Sequence, residues 1–230
     1  MATFMSVLFG CNDVDKKAID PIVVNLSAKY GKSFTVYALG DRIGKNTATA
    51  YVYPDDDRTL MFTARSDRNG NLVFENYAYR LLCRKVEDVI VNTFAEYGID
   101  AVCFVSLSGT SIDTVNSIDI SLSDYIDNVK PEAFSASIAI KSNTIKVSTV
   151  DEIYKKTYEE LHHVTVGSML FMLDSEDYET VAPKIQLETQ LFDVDRLKLN
   201  GAVNFVKEVQ LKYDGISLTS TTDDLYEEEL

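Results

Sequence analysis

The two histidines of this chain are adjacent, His162-His163. Neighbouring residues of a helix point about 100° apart, so the pair cannot grip one metal ion from one face as an i, i+4 pair does. A helix C-terminus, where imidazoles meet the negative end of the dipole, is their expected setting. The run Asp55-Asp56-Asp57 offers many oxygens in the wrong order. Calcium loops alternate their ligands, whereas consecutive carboxylates in a turn diverge into solvent. Asp67, Asn69 and Asn71 come closer in spacing, yet no bidentate glutamate follows, and Asn69-Gly70 already reads as a hairpin turn. Ser106-Leu107-Ser108-Gly109 departs from G-x-S-x-G, and neither glycine-rich phosphate motif occurs. We therefore expect no metal, no cofactor and no catalytic residues. Acid/base work by carboxylates stays open, but 36 acidic residues make any choice among them arbitrary.

Aromatic residues offer another kind of site. The chain has 13 tyrosines and no tryptophan, and the first half holds Tyr37, Tyr51 and Tyr53 in β-rich segments. If Tyr51 and Tyr53 share a strand face with Tyr37 opposite, they form an aromatic binding surface. The other arrangement packs them under helices with only the hydroxyls at the rim.

Cysteine chemistry concerns location. Val7-Leu8-Phe9-Gly10-Cys11 is apolar and gives way at once to polar Asn12 and Asp13. A bacterial lipoprotein signal ends in Leu-small-small-Cys, and Leu8, Gly10 and Cys11 keep that pattern while Phe9 fits poorly. Cys11 is thus the expected lipid-attachment residue and membrane tether, with residues 1–13 a signal remnant or tether. The preceding MATFMSV is shorter than a working apolar region and carries no cation. An internal start at Met1, with the true signal beginning upstream, is the expected explanation. Cys83 and Cys103 lie in the apolar runs RLLCRKV and DAVCFVSL, where buried reduced thiols are expected.

These residues must be positioned by a chain of 230 residues with 46% apolar side chains, enough for a sizeable core. Its 36 acidic and 22 basic residues leave a net charge of −14. A field of that sign repels phosphate backbones, so nucleic acid is not an expected partner. The last stretch, TSTTDDLYEEEL, has no base, and residues 223–230 read as an acidic tail.

Asp20 to Gly31 reads as a helix, with Pro21 at its first position and Gly31 just past its end. SFTVYALGDRI and TATAYVYP read as paired strands, and TLMFTARSDR and NLVFEN as a hairpin about a two-residue Asn69-Gly70 turn. A long helix from Tyr77 to Tyr97 buries Leu82, Val86, Val89, Ile90, Phe94 and Tyr97, and Ala101 to Leu107 is an apolar strand. NLSAKYG and NTFAEYG share N-x-x-A-x-Y-G, which reads as two helices capped alike rather than as a duplication. Ser121 opens a short helix through Val129, FSASIAIKS is a strand, Thr149 opens a second helix, and VGSMLFMLD is another strand. After Pro183, Ile185, Leu187, Thr189 and Leu191 alternate as a strand would, and Val209, Leu211 and Tyr213 do so again. The expected fold class is α+β: mostly antiparallel sheets with helices packed on one face and a β-rich C-terminal region. Residues 14–110 form an expected α-β-β-β-β-α-β domain, and residues 111–222 a second α+β region.

Tyr30-Gly31, SFTVYAL, ATAYVYPDDD, LMFTARSDRNGNLVFENY and the long helix after them resemble a diffuse group of small lipoproteins and exported proteins of Gram-positive bacteria. The resemblance covers roughly residues 14–107. It implies an extracytoplasmic, lipid-anchored module, with no catalytic residues to carry over. Three readings follow: a non-enzymatic envelope-associated binding module for an unknown protein or small ligand; a cytoplasmic or phage-borne structural or interaction protein; or an enzyme whose site spacing does not reveal.

Overall fold

The computed structural model describes residues 13–40, 46–108, 115, 117–142, 144–187 and 207–220. Two compact units divide the chain, Met1–Tyr77 and Ala78–Leu230.

In the first unit, helix α1 (Asp13–Tyr30) precedes strands β1 (Phe34–Leu39), β2 (Thr47–Pro54), β3 (Phe62–Asp67) and β4 (Leu72–Glu75). The strands form an antiparallel meander in chain order. Period-two side-chain alternation puts Phe34, Ala50, Val52, Phe62 and Ala64 in the interior, where Ile22 and Leu26 of α1 are also buried. Tyr77, buried at the end of this unit, meets the rings of Tyr30, Phe34 and Phe62 at centroid distances of 4.8, 5.4 and 5.0 Å. These separations suit the edge-to-face and tilted contacts that aromatic rings prefer.

Three sequence expectations change here. The helix begins at Asp13, so Pro21 lies inside it rather than at its start. Asp13 is accordingly a helical residue and not part of a tether. The turn at Asn69-Gly70 is a three-residue connection: Gly70 N–H donates to the Asp67 carbonyl, Asp67 N–H donates to the Asn71 carbonyl, and Gly70 adopts φ +84°. That is a type I turn closed by a left-handed glycine, the geometry that a three-residue hairpin needs. Both edge strands of this sheet are also bulged. The pairing register skips Tyr37 between Val36 and Ala38, and Val73 between Leu72 and Phe74.

The second unit runs α2 (Tyr77–Glu96, its first residue closing the first unit), β5 (Ala101–Ser108), α3 (Leu122–Val129), β6 (Ala133–Ile140), α4 (Val147–Glu160), β7 (Thr165–Met172), α5 (Ser175–Leu187), β8 (Lys207–Tyr213) and β9 (Leu218–Ser220). Its sheet has the order β5-β6-β7-β8-β9. Every pairing is antiparallel except β6 with β7, which α4 connects as a crossover. Alternation again sorts the side chains. Cys103, Val105, Phe134, Ile138, Ile140, Val166, Leu170, Val209 and Leu211 join one large cluster with α2, α3 and α4. Ala139 and Phe171 face the other way and pack with Val181 and Ile185 of α5.

The chain is thus α+β with mostly antiparallel sheets, as expected, but the second sheet carries helices on both faces. The division also falls at Tyr77/Ala78 rather than near residue 110. The reason is hydrogen bonding: all eight residues of β5 pair with β6, which draws α2 and β5 into the second unit. Beyond Pro183, Ile185 and Leu187 of the expected strand belong instead to the end of α5, because Val181 and Ile185 are one helical turn apart and are both buried, while Thr189 and Leu191 lie outside the described residues. Residues 188–206 and the tail at 223–230 lie outside the described residues. The shared N-x-x-A-x-Y-G endings carry left-handed glycines, Gly31 at φ +66° and Gly98 at φ +71°, which supports the capping explanation.

The β8–β9 turn makes the tightest steric demand. Gly215 sits at φ +91°, and a Cβ there would lie 2.6 Å from the Tyr158 hydroxyl oxygen and 2.8 Å from its ring carbon. We predict that Gly215→Ala lowers stability by about 1–3 kcal/mol through strain and overlap together. The urea midpoint should fall at unchanged slope, and an unmoved midpoint would show that the turn relaxes freely.

Candidate functional site

The face of the first sheet turned away from α1 gathers the residues that sequence singled out. Register pairs Tyr53 with Thr35 and Tyr51 with Ala38 and Thr63, so Tyr51 and Tyr53 point to one side of the sheet. The register skips Tyr37 beside Ala38, the partner of Tyr51, and the exposure of Tyr37 sets it on this outer side of the sheet rather than in the core. The three tyrosines thus share one face, with Tyr37 45% exposed and Tyr51 and Tyr53 half-buried. Arg65 and Phe74, paired across β3 and β4, extend the same face. The Arg65 guanidinium lies 4.2 Å from the Phe74 ring centroid, and that of Arg58 lies 6.0 Å from the Tyr53 ring. Stacking of this kind holds a cation flat and leaves its outward N–H groups available for hydrogen bonds. Sequence reasoning missed both arginines, because only the strand register sets Arg65 across from Phe74 and only the turn between β2 and β3 brings Arg58 back over Tyr53.

Next to this face the three consecutive aspartates do diverge. Asp55 accepts from Thr35 Oγ1 at 2.7 Å, Asp56 from Lys32 Nζ at 2.8 Å, and Asp57 from the backbone and hydroxyl of Thr59 at 2.9 and 2.6 Å. Asp67 is committed to its own turn, accepting from Asn69 N–H and Asn71 N–H, both at 2.8 Å. Among the described residues no group of three His, Cys, Asp or Glu side chains could hold a metal ion. His162 and His163 lie just beyond the end of α4 at φ +53° and +67°, where His163 N–H donates to the Tyr158 carbonyl. His163 also sits against the Tyr158 ring, 5.3 Å between centroids. The pair shapes a turn. Cys11 lies outside the described residues.

The second unit holds a buried polar cluster that sequence did not reveal. Arg80 and Glu87, 3% and 2% exposed, sit on the apolar side of α2. Arg80 Nη2 donates to Glu87 Oε1 at 2.8 Å, and Arg80 Nη1 donates to the Val105 carbonyl at 2.8 Å. Val105 N–H donates to Glu87 Oε1 at 2.9 Å, and Leu107 N–H donates to the Tyr79 hydroxyl at 2.8 Å. Cys83 and Cys103 are close by, but burial pushes the Cys83 thiol up to about 11 and Cys103 well above its ordinary value. Both stay neutral thiols at physiological pH, which removes the thiolate that nucleophilic chemistry needs.

Comparison with protein-family models and with curated proteins found no match. Among solved structures, the chain is similar to the crystal structure of a DUF5037 family protein from Ruminococcus gnavus. The TM-score is 0.66 at 14% identity, covering 86% of this chain and 93% of that one. At that identity the likeness shows the fold alone.

One carboxylate ties together the frame that carries the tyrosine face. Glu75 Oε1 accepts from Lys29 Nζ at 2.5 Å and from the Tyr30 hydroxyl at 2.6 Å, and Oε2 accepts from Tyr77 N–H at 2.7 Å. Burial alone would raise its pKa, but these hydrogen bonds and the Lys29 charge outweigh it, so the carboxyl lies below its ordinary value. The same burial and the bond to Glu75 hold the Tyr30 phenol up at about 12. A lowered carboxylate pKa stabilises the fold above the unfolded-state value, and that contribution is lost as pH falls through the folded-state value. We predict that Glu75→Gln costs about 1–2 kcal/mol at neutral pH and flattens the acid limb of the stability curve below about pH 4.3. Urea titrations from pH 7 to 3 read both effects. A variant whose acid limb matches the wild type would place the linkage elsewhere.

Proposed function

We propose that the protein is a non-enzymatic, envelope-associated binding module that engages its ligand through the open face of the first sheet. The observation that carries the reading is the register that brings Tyr37, Tyr51 and Tyr53 to one side, with Arg65 and Phe74 beside them. Half-buried tyrosines present broad contact area with few rotors to order, and each keeps a polar tip at the rim. The envelope part of the proposal rests on Leu8-Phe9-Gly10-Cys11 and on the resemblance to exported lipoproteins. Among the described residues no helix is long and apolar enough to cross a membrane, so anchoring in this reading falls to a lipid on Cys11.

A thermal-shift screen of sugars, peptides and small metabolites tests the binding face. The expected result is a compound that raises the melting temperature of the wild type and leaves a Tyr51→Ala/Tyr53→Ala variant unmoved. Equal shifts in both would put the site elsewhere on the molecule. Detergent-phase partitioning of the native full-length protein tests the anchor. We expect the wild type in the detergent phase and Cys11→Ser in the aqueous phase. A wild type confined to the aqueous phase would favour the unanchored interaction protein.

A further inference from the structure

Among the described residues β5 is an edge strand, bonded to β6 along one side, and an edge normally presents a row of unpaired N–H and C=O groups. In an antiparallel pair, alternate residues turn these groups away from the partner strand, and Val105 and Leu107 are two such residues. Their groups are met by side chains of α2: Glu87 takes the Val105 N–H, Arg80 takes the Val105 carbonyl, and Tyr79 takes the Leu107 N–H. One carboxylate acceptor and one guanidinium donor at a single residue reproduce the pair of hydrogen bonds that a neighbouring strand would make there. Arg80 also reaches across the edge, its guanidinium 4.1 Å from the ring of Phe104, whose side chain packs on the α5 side of the sheet.

We infer that Tyr79, Arg80 and Glu87 form a side-chain substitute for a sixth strand, and that they keep the β5 edge from pairing with β5 of a second copy of the chain. Glu87 supplies the acceptor, Arg80 supplies the donor and neutralises Glu87, and Tyr79 closes the next rung. Pairing of two such edges about a two-fold axis would be antiparallel and self-complementary, the simplest association an exposed edge permits.

Arg80→Met/Glu87→Leu removes the substitute while leaving apolar volume in its place, an exchange that buried ion pairs often tolerate. Analytical ultracentrifugation should show concentration-dependent association of this variant beyond that of the wild type. Hydrogen exchange should be faster at Val105 by about tenfold or more at concentrations below association, with Ile138 of the central strand β6 little changed. Unchanged Val105 exchange, or faster exchange without added association, would overturn the inference. Tyr79→Phe keeps the ring and removes only the hydroxyl, so it decides the matter if the double variant fails to fold. Selectively faster exchange at Leu107 supports the substitution, and unchanged exchange there refutes it.

Discussion

A carboxylate shut away from water is tolerated only when its oxygens are fully engaged, and Glu87 imposes that condition on the second unit. Its oxygens need Arg80, and both need the backbone of Val105, so α2 has one rotation and one height against β5. Arg84, with Nη1 3.5 Å from Glu87 Oε2, adds a further cation from the next turn of the helix. Once that register is set, Leu82, Val86, Ile90 and Phe94 fall on the large apolar cluster, where α4 brings Ile153 and Tyr154. Apolar packing supplies most of the driving force, but it would accept a helix slipped by a turn. The ion pair would not.

The sheet edges reveal a common solution reached by different means. β5 is covered by side chains, while β9 is only three residues long. In the first unit, β1 and β4 each carry a bulge that interrupts the ladder. The two large hydrophobics most exposed on that sheet, Tyr37 and Val73, are the bulge residues themselves. Tyr37 therefore has two roles in the same place, as an irregularity in an edge strand and as part of the aromatic face.

Much of this was legible from residue order. Local signals gave the hairpins, the long helix and the apolar strand after it, and the alternation of Val209, Leu211 and Tyr213 marked β8. What misled was proline. Pro21 read as a helix start and Pro183 as the point after which a strand-like alternation begins, yet α1 and α5 run through both. In each case an i, i+4 pair buried across a sheet, Ile22 with Leu26 and Val181 with Ile185, offsets the roughly 3 kcal/mol that proline costs inside a helix. The domain boundary was hidden for another reason: nothing in the sequence of β5 states whether it joins the strands before it or after it. The polar cluster was equally invisible. Arg80 and Glu87 look like solvated helix charges until the edge of β5 is known to lie beside them. The tyrosine face was half legible, since alternation suggested Tyr51 and Tyr53 on one side but only the bulge brings Tyr37 over to them.

The two sheets also differ in how far along the chain their partners lie. In the first unit each strand bonds the next one in order, so every closure is a short loop. In the second, β6 and β7 run parallel, and the ladder between them cannot start until residues 141–164 have carried the chain back across the sheet. Closing that loop costs entropy before any β6–β7 bond repays it, whereas a hairpin recovers its cost within a few residues. During synthesis, therefore, the meander has all its partners as soon as β4 has emerged, while β5 and β6 must wait with their apolar faces open until β7 arrives.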